Sequence, residues 1–407
     1  MPQRARSRQS HLKDCRKPSK PQFVGERETV RLSEIAKIKA GNVAPKKDAF
    51  TEDGIPFVRA GSLTNLLAGG SLADLEKIDG GTAQKLRLTL FPAGTVVFAK
   101  SGMSCMTGNV YVLPKPCYVV SHLACVIPNG NYASYLKHYF RFNRPNRLIE
   151  NPSFPSIKLS KIQGIELKLP SPEKGVRQVQ ALERIESQIG RATTLLTYLN
   201  SLVKSRFVEM FGNLTNNDKG WSFVELASVC DVRDGTHDSP KYCEDGYPLM
   251  TSKNFSQGFA DFSSAKFISK DDFDAINKRS KVDVGDIVMP MIGTIGHPVI
   301  VDTNRLFAIK NVALLKMHNA GINRTVLKCL LESDYFSQVV ESHNHGATQR
   351  FISLNNIRGL EIPVIPICLQ QEFADFVSQV DKLRFATQQQ IDKLETLKKS
   401  LMQEYFG

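Results

Sequence analysis

SLVKSRFVEMFG (Ser201–Gly212) and TLKKSLMQEYFG (Thr396–Gly407) are two versions of one segment, 195 positions apart. Leu, Lys, Ser, Glu, Phe and Gly recur at the same spacing in both. Further blocks pair upstream of each. VRLSEIAKIKAG (Val30–Gly41) aligns with VELASVCDVRDG (Val224–Gly235), and GIPFVRAGSL (Gly54–Leu63) with GYPLMTSKNF (Gly246–Phe255). FPAGTVVFAKSG (Phe91–Gly102) aligns with VDVGDIVMPMIG (Val282–Gly293), and SHLACVI (Ser121–Ile127) with KNVALLK (Lys310–Lys316). SIKLSKIQGIELKLP (Ser156–Pro170) aligns with FISLNNIRGLEIPVI (Phe351–Ile365). The offset stays between 189 and 195, so the chain is a tandem duplication, the first feature to establish in any fold reading.

Each copy has two parts. The first carries β-branched and aromatic runs cut by Gly, Pro and Asn, such as GTVVFAKSG and YVVSHLACVIP. These predict short strands with tight turns. A helix is expected over Tyr132–Phe142, with its counterpart over Arg324–Val340. The second part opens after proline (Pro170 and Pro172; Pro363 and Pro366) and runs to the FG without another one, the pattern of a helix start and a long helix. Ile185, Ile189, Ala192, Leu196, Leu199 and Val203 recur at alternating steps of four and three. So do Val380, Leu383, Thr387, Gln390, Leu394, Leu397 and Leu401. That spacing is an a/d seam. An amphipathic helix lying on its own domain shows a similar period, but ~38 residues exceed the usual globular length.

The expected boundaries are therefore a basic arm over residues 1–25, a first domain over 26–172 and a long helix over 173–215. A second domain follows over 216–366, and a second long helix over 367–407. The arm carries seven basic residues and one acid and is read as disordered.

The 407 residues carry 53 basic and 40 acidic side chains, a net charge of +13, which favours a polyanionic partner. Eight cysteines are scattered without a C-x-x-C pair. This argues for a reducing, cytoplasmic setting and against a disulfide framework or zinc site. No run of eighteen apolar residues suggests a membrane span, and the N-terminus has no secretory h-region.

Catalytic signals are weak. NPSF (Asn151–Phe154) has the outline of an amino-methyltransferase loop but no glycine-rich cofactor turn before it. Glu166-Leu167-Lys168 has the E-x-K shape of nucleases, and the second copy has Pro363 in place of the lysine. There is no phosphate-binding G-x-x-x-x-G-K-[ST] loop. His343 and His345 lack a matching metal-ligand set.

Polar, glycine-rich turns at matching places are the stronger signal. AKSGMSCMTGN (Ala99–Asn109) and MIGTIGH (Met291–His297) allow close backbone approach to another surface. KHYFRFNRPNR (Lys137–Arg147) interleaves Lys137, Arg141, Arg144 and Arg147 with aromatics, the pattern of a phosphate-tracking face. HGATQRF (His345–Phe351) offers Gln and Arg, which are shaped for bidentate contact with bases. In the first copy the candidate DNA-contacting residues are Arg59, Ser62, Asn65, Lys100, Ser101, Ser104, Thr107, Asn109, Arg141, Arg144 and Lys158. In the second they are Thr251, Ser252, Lys253, Asn254, Thr294, His297, Lys310, Thr348, Gln349 and Arg350.

The duplicated plan, the paired blocks, GATQRFISLNNIRGLEIPVIP and the two FG ends together resemble the specificity subunit of type I restriction–modification systems. The resemblance covers the chain from about Glu26. It implies an α+β fold: two duplicated target-recognition domains, each a mixed β-sheet with flanking helices, separated by two long antiparallel helices forming a coiled coil. It implies a non-catalytic subunit that reads a bipartite site on double-stranded DNA. Two methyltransferase subunits and two restriction/translocase subunits are the implied partners. The chain itself would hold no cofactor, with S-adenosylmethionine, ATP and Mg on the partners. The alternative is a self-contained DNA methyltransferase or nuclease using Asn151–Phe154 or Glu166–Lys168. Phe207 and Met210 are expected on an outward helix face that docks methyltransferase subunits, and helix length is expected to set the gap in the DNA site.

Overall fold

The run GTVVFAK folds as its composition dictates. Val96–Ala99 becomes a strand with all four residues buried. Strands Ala36–Ala40, Leu123–Pro128, Val96–Ala99 and Val110–Val112 lie in that order in an antiparallel sheet. Val97 stands opposite Cys125. Helix Ala133–Phe142 covers this sheet, with Phe98 and Phe140 ring centroids 5.0 Å apart. Each such buried aromatic or aliphatic side chain contributes roughly 1.5–3 kcal/mol. A smaller mixed sheet sets Ile55–Val58 between Lys77–Ile78 and a parallel partner, Tyr118–Val119. Arg27–Arg31 pairs antiparallel with Glu166–Pro170. In this computed structural model the described residues are 27–256, 258–292, 295–318, 321–343 and 351–407. The basic arm expected over residues 1–25 lies outside them.

The second copy repeats the topology with one added edge strand. Its larger sheet runs Asp231–Asp234, Val312–Lys316, Ile287–Pro290, Val299–Ile300. Its mixed sheet again pairs Tyr247–Met250 in parallel with Ala308–Ile309 and antiparallel with Lys266–Ile268, and adds Tyr242–Cys243 at the edge. Phe223–Glu225 pairs with Glu361–Pro363. The matched glycines Gly54 and Gly246 explain one conserved beat of the duplication. Both sit at positive φ, 139° and 149°. A Cβ on either would press into the carbonyl of Ile78 or Ile268, so only glycine fits.

The single helix expected over Arg324–Val340 is two helices, Arg324–Leu331 and Asp334–Ser342. Ser333 breaks the run. Its backbone is extended and its hydroxyl accepts from Phe336 N–H, a cap that starts a new helix.

Two helices of 40 residues follow the domains, Pro172–Phe211 and Ile367–Phe406. The structure separates into two compact units whose divisions fall inside these helices. One unit takes the chain up to Ile189 together with Lys393–Gly407, and the other takes Gly190–Asp392. Within each unit the two helix segments run antiparallel. Glu186 meets Lys398 in the first. Arg206 meets Glu372, and Phe207 meets Phe373, in the second.

The first seam lies where the spacing puts it: Ile185, Ala192, Leu199 and Val203 are buried. The second seam has a different phase. Leu383 is 57% exposed and Leu397 and Gln390 also face outward. The inward positions are Phe373, Val377, Val380, Arg384, Thr387, Ile391, Leu394 and Lys398, again at steps of four and three. Arg384, Ile391 and Lys398 take the inward places expected of Leu383, Gln390 and Leu397, while Thr387 faces in as expected, its hydroxyl bonded back to the Leu383 carbonyl. Long basic side chains can bury their stems.

The FG ends are plugs. Phe406 packs against Tyr135 and Tyr139, at 5.3 and 6.3 Å between centroids, and its carbonyl accepts from Asn143. Phe211 packs against Phe207 and Phe373, and its carbonyl accepts from the Trp221 indole. Phe207 is thus a core residue of the second unit, not the outward docking residue expected from the sequence. Among the described residues no helix is long and apolar enough to cross a membrane.

Candidate nucleic-acid interface

In the first unit the strand Val96–Ala99 delivers the chain into a loop tethered along its length. Lys100 N–H donates to His122 O, and Ile157 N–H donates back to Lys100 O. Ser101 and Ser156 form a β-bridge, and the Ser101 hydroxyl lies 2.9 Å from His122 Nδ1. Gly102 N–H donates to Pro155 O at 3.0 Å. Cys105 is buried beneath a short 3-10 turn, Met103–Thr107. Asn146 donates to Met106 O, and Asn109 donates to Thr64 Oγ1 at 3.1 Å. A loop held this way is pre-organised, which lowers the entropy lost on binding.

The platform brings Lys100, Ser101, Ser104, Thr107, Asn109, Arg144 and Lys158 into one neighbourhood, and the Asn109–Thr64 bond joins it to the helix bearing Ser62 and Asn65. The Thr107 hydroxyl is used inside the loop, donating to Ser104 O. Arg144 and Lys158 are exposed. Beside the loop lies a groove of about 650 Å³ lined by Asn109, Arg141, Arg144, Lys398, Lys399 and Gln403, with Glu186 and Glu395. Lys398 and Lys399 were not singled out from the sequence, because they lie almost three hundred positions from the loop.

Two candidates are drawn elsewhere. Arg59 Nε lies 2.6 Å from Glu76, and the guanidinium sits over the rings of Phe50 and Phe57 at 5.2 and 5.5 Å. Arg141 lies 3.0 Å from Glu186, which also holds Lys137 and Lys398 at 3.4 and 3.2 Å. The face read as phosphate-tracking is therefore split. Lys137 and Arg141 turn to the long helices, whereas Arg144 and Arg147 stay exposed.

The second unit repeats the root of this loop. Ile292 bridges Phe351, as Ser101 bridges Ser156, and Ile352 N–H donates to Met291 O at 3.0 Å, as Ile157 does to Lys100. Ser252–Phe255 repeats the position of the Ser62 helix as a 3-10 turn, with a capping box at Thr251. Here one candidate is overturned. Asn254 is 3% exposed, and its amide is spent on Thr251, Asp261 and Ser264. It clamps the turn and cannot reach a base. Thr251 shares that clamp, whereas Lys253 and His297 are exposed and Ser252 is half-buried. Lys310 Nζ donates to Ser239 Oγ at 2.6 Å. Thr294, Thr348, Gln349 and Arg350 lie outside the described residues.

A neighbouring cluster went unnoticed in the sequence. His237 has one ring nitrogen 2.9 Å from Asn311 Oδ1 and the other 2.8 Å from Asp234. With an oxygen acceptor at each nitrogen the imidazolium is favoured. The Asn311 contact first, then Asp234, raises its pKa. Asp234 is also paired with Arg279.

The two catalytic outlines have structural uses. Asn151 Oδ1 accepts from Ser153 N–H and its carbonyl from Phe154 N–H, a turn that occupies the atoms a substrate amine would need. Glu166 and Lys168 point outward from a strand of the two-stranded sheet. Among the described residues no three His, Cys, Asp or Glu side chains cluster as a metal site.

A family model described as "Type I restriction modification DNA specificity domain" matches twice, over residues 25–200 and 218–396. The chain is 25% identical over 148 residues to the type I restriction enzyme MjaIX specificity subunit of Methanocaldococcus jannaschii, covering 35% of this chain and 34% of that protein. It is 20% identical over 273 residues to the MjaVIII specificity subunit of the same organism, covering 61% and 63%. The chain thus spans less than two thirds of the curated relatives it matches. Its fold is similar to the crystal structure of a type I restriction–modification S subunit from M. genitalium, with TM-score 0.57, 12% identity and 94% and 96% coverage. It is also similar to a chain from a study of complex assembly and conformational transition in the type I R-M system, with TM-score 0.56, 16% identity and 95% and 99% coverage.

Proposed function

Because the chain belongs to the family of type I restriction–modification DNA specificity domains, we propose that it is the DNA-reading subunit of such a system and performs no catalysis itself. One observation carries the reading. The same bridged loop root is built twice on one backbone, with Ser101 and Ser156 in one copy and Ile292 and Phe351 in the other. Two readers of different sequence on one scaffold suit a bipartite site, with each unit reading one half through base edges in the major groove. Arg144 and Lys158, with the groove's exposed Lys399, supply the positive charge that phosphates require.

Methyl transfer, ATP-driven translocation and cleavage fall to partners, two methyltransferase and two restriction subunits, in a cytoplasmic assembly. S-adenosylmethionine, ATP and Mg bind those partners. Docking of the methyltransferase subunits falls to exposed apolar residues of the first long helix, among them Leu195, Tyr198 and Leu202. The test is methylation-sensitive sequencing of DNA from cells with and without this chain. A methylated bipartite motif with a fixed unspecified gap is expected only in its presence. Methylation that persists without the chain, or a motif with no gap, would sink the proposal.

A further inference from the structure

In the second unit an imidazole and an amide meet beside the root of the loop. Asn311 is the residue before Val312, and Val312 pairs with Pro290 at the end of the strand that leads into that loop. In the duplication Asn311 aligns with His122, whose ring lies 2.9 Å from the Ser101 hydroxyl. Both copies therefore set a hydrogen-bonding side chain at this place. The second copy adds an imidazole to an amide, with His237 Nδ1 2.9 Å from Asn311 Oδ1. The turn carrying His237 is pinned there by its backbone. Asn311 N–H donates to Thr236 O at 3.2 Å, and Thr236 N–H donates to Ile309 O at 3.0 Å. Asn311 is half-buried, and its Nδ2 has no hydrogen-bond partner among the described residues.

The charge state of His237 decides which atom of the amide is left for a ligand. Its Nε2 lies 2.8 Å from Asp234, an acceptor-only carboxylate, so that nitrogen keeps its proton in both charge states. With the second proton present, Nδ1–H donates to Asn311 Oδ1 and the NH2 group is left free. Without it, Nδ1 is an acceptor. The amide then turns over about χ2 to donate to the ring, which leaves its oxygen free. The amide oxygen and nitrogen are nearly alike in size, so the exchange disturbs no packing. The charged groups around the ring are Asp234 on the adjoining strand, Asp238 next in the chain and Arg279 at the end of helix Lys270–Ser280, which pairs with Asp234. Lys310 stands on the neighbouring strand, held by Ser239. The Asn311 contact and Asp234 outweigh burial and Arg279, so the proton is lost above the ordinary histidine value of 6.5.

We infer that Asn311 reads one base of the half-site assigned to this unit, and that His237 is its positioning residue, switching the amide between a donor for keto bases and an acceptor for amino bases. The inference rests on the DNA-reading function proposed above. In the major groove guanine O6 and thymine O4 accept hydrogen bonds, whereas adenine N6 and cytosine N4 donate them. A protonated His237 therefore selects guanine or thymine on the contacted strand, and a neutral one selects adenine or cytosine.

The experiment uses the full chain assembled with its methyltransferase subunits, which selects preferred duplexes from a randomised library at about pH 6 and about pH 8.5. One position of this unit's half-site should move from guanine or thymine at the lower pH toward adenine or cytosine at the higher. The ratio should change about fivefold, the scale of one hydrogen bond. The other half-site should not move. His237→Gln should remove the pH dependence. Asn311→Asp presents an oxygen at every pH, and aspartate tolerates the positive φ of 54° at this position. That variant should show the higher-pH preference at both values. An unaltered protein with one preference at both pH values would overturn the inference. So would a pH shift that survives in His237→Gln, or an Asn311→Asp variant that keeps the lower-pH preference. A complex that selects no duplex at all would instead defeat the DNA-reading function itself.

Discussion

Glu186 shows how one residue can organise a unit. Burial alone would raise its carboxyl, but Lys137, Arg141, His138 and Lys398 outweigh that and hold it down at about 2. His138 beside it is fully buried, and neither ring nitrogen has a hydrogen-bond partner among the described residues. Burial first, and then the Lys137 charge, push its pKa down to about 4, while Glu186 pulls the other way. Both folded pKa values lie below their unfolded ones, so the unfolded chain takes up protons first as pH falls. The His138 contribution is present above pH 6.5 and disappears toward pH 4. The Glu186 contribution disappears lower, between pH 4.5 and 2. Melting at pH 7 and pH 5 therefore isolates the histidine. The first unit should lose about 1–2 kcal/mol over that interval, and His138→Phe should flatten the dependence. An unchanged pH slope in the variant would show that His138 is not the titrating group. In the second unit, Asn254→Ala should destabilise by about 1–3 kcal/mol through the unpaired groups it leaves, read by urea unfolding. Wild-type stability in that variant would restore Asn254 as a candidate reader.

Among elements, the second long helix is where pattern and packing part. Leucines at 383 and 397 satisfy a heptad but face outward, while Arg384 and Lys398 face in. Leu383→Glu should then change stability by no more than about 0.5 kcal/mol, as surface substitutions do. Val380→Glu, which puts a charge into the packed face, should cost about 3 kcal/mol or more. Urea unfolding of the two variants distinguishes the phases. If both were equally damaging, the phase seen here would be wrong.

For the whole molecule the decisive feature is that the last fifteen residues belong to the first unit. Met402 and Phe406 are part of its core, against Tyr135. A chain ending at Asp392 should keep a folded second unit and lose protection in the helix Ala133–Phe142, measured by amide hydrogen exchange. Full protection there would mean the C-terminal segment is dispensable. Duplication also predicts independence of readout. Replacing Lys100, Ser101 and Asn109 should alter preference at one half-site only. Replacing Thr294, Gln349 and Arg350 should alter the other. Selection from randomised DNA reads both, and equal loss at both half-sites would refute separate reading.

The duplication, the strand runs, the two long helices and the first seam were all legible in the amino-acid order, because each is a local or periodic property. A period survives without knowledge of what lies opposite, and GTVVFA is a buried strand in almost any setting. The fate of individual polar side chains was not legible. Arg141 is drawn to Glu186 across 45 positions, and Arg59 to Glu76 across 17. Asn254 disappears under a turn closed by Asp261 and Ser264. Lys100 and Ile157 are joined only because Ser101 meets Ser156. Charge pairing, burial and juxtaposition depend on which distant segment arrives beside a residue. Composition and spacing therefore determined the scaffold, and tertiary packing alone decided which of its side chains remain available to a ligand.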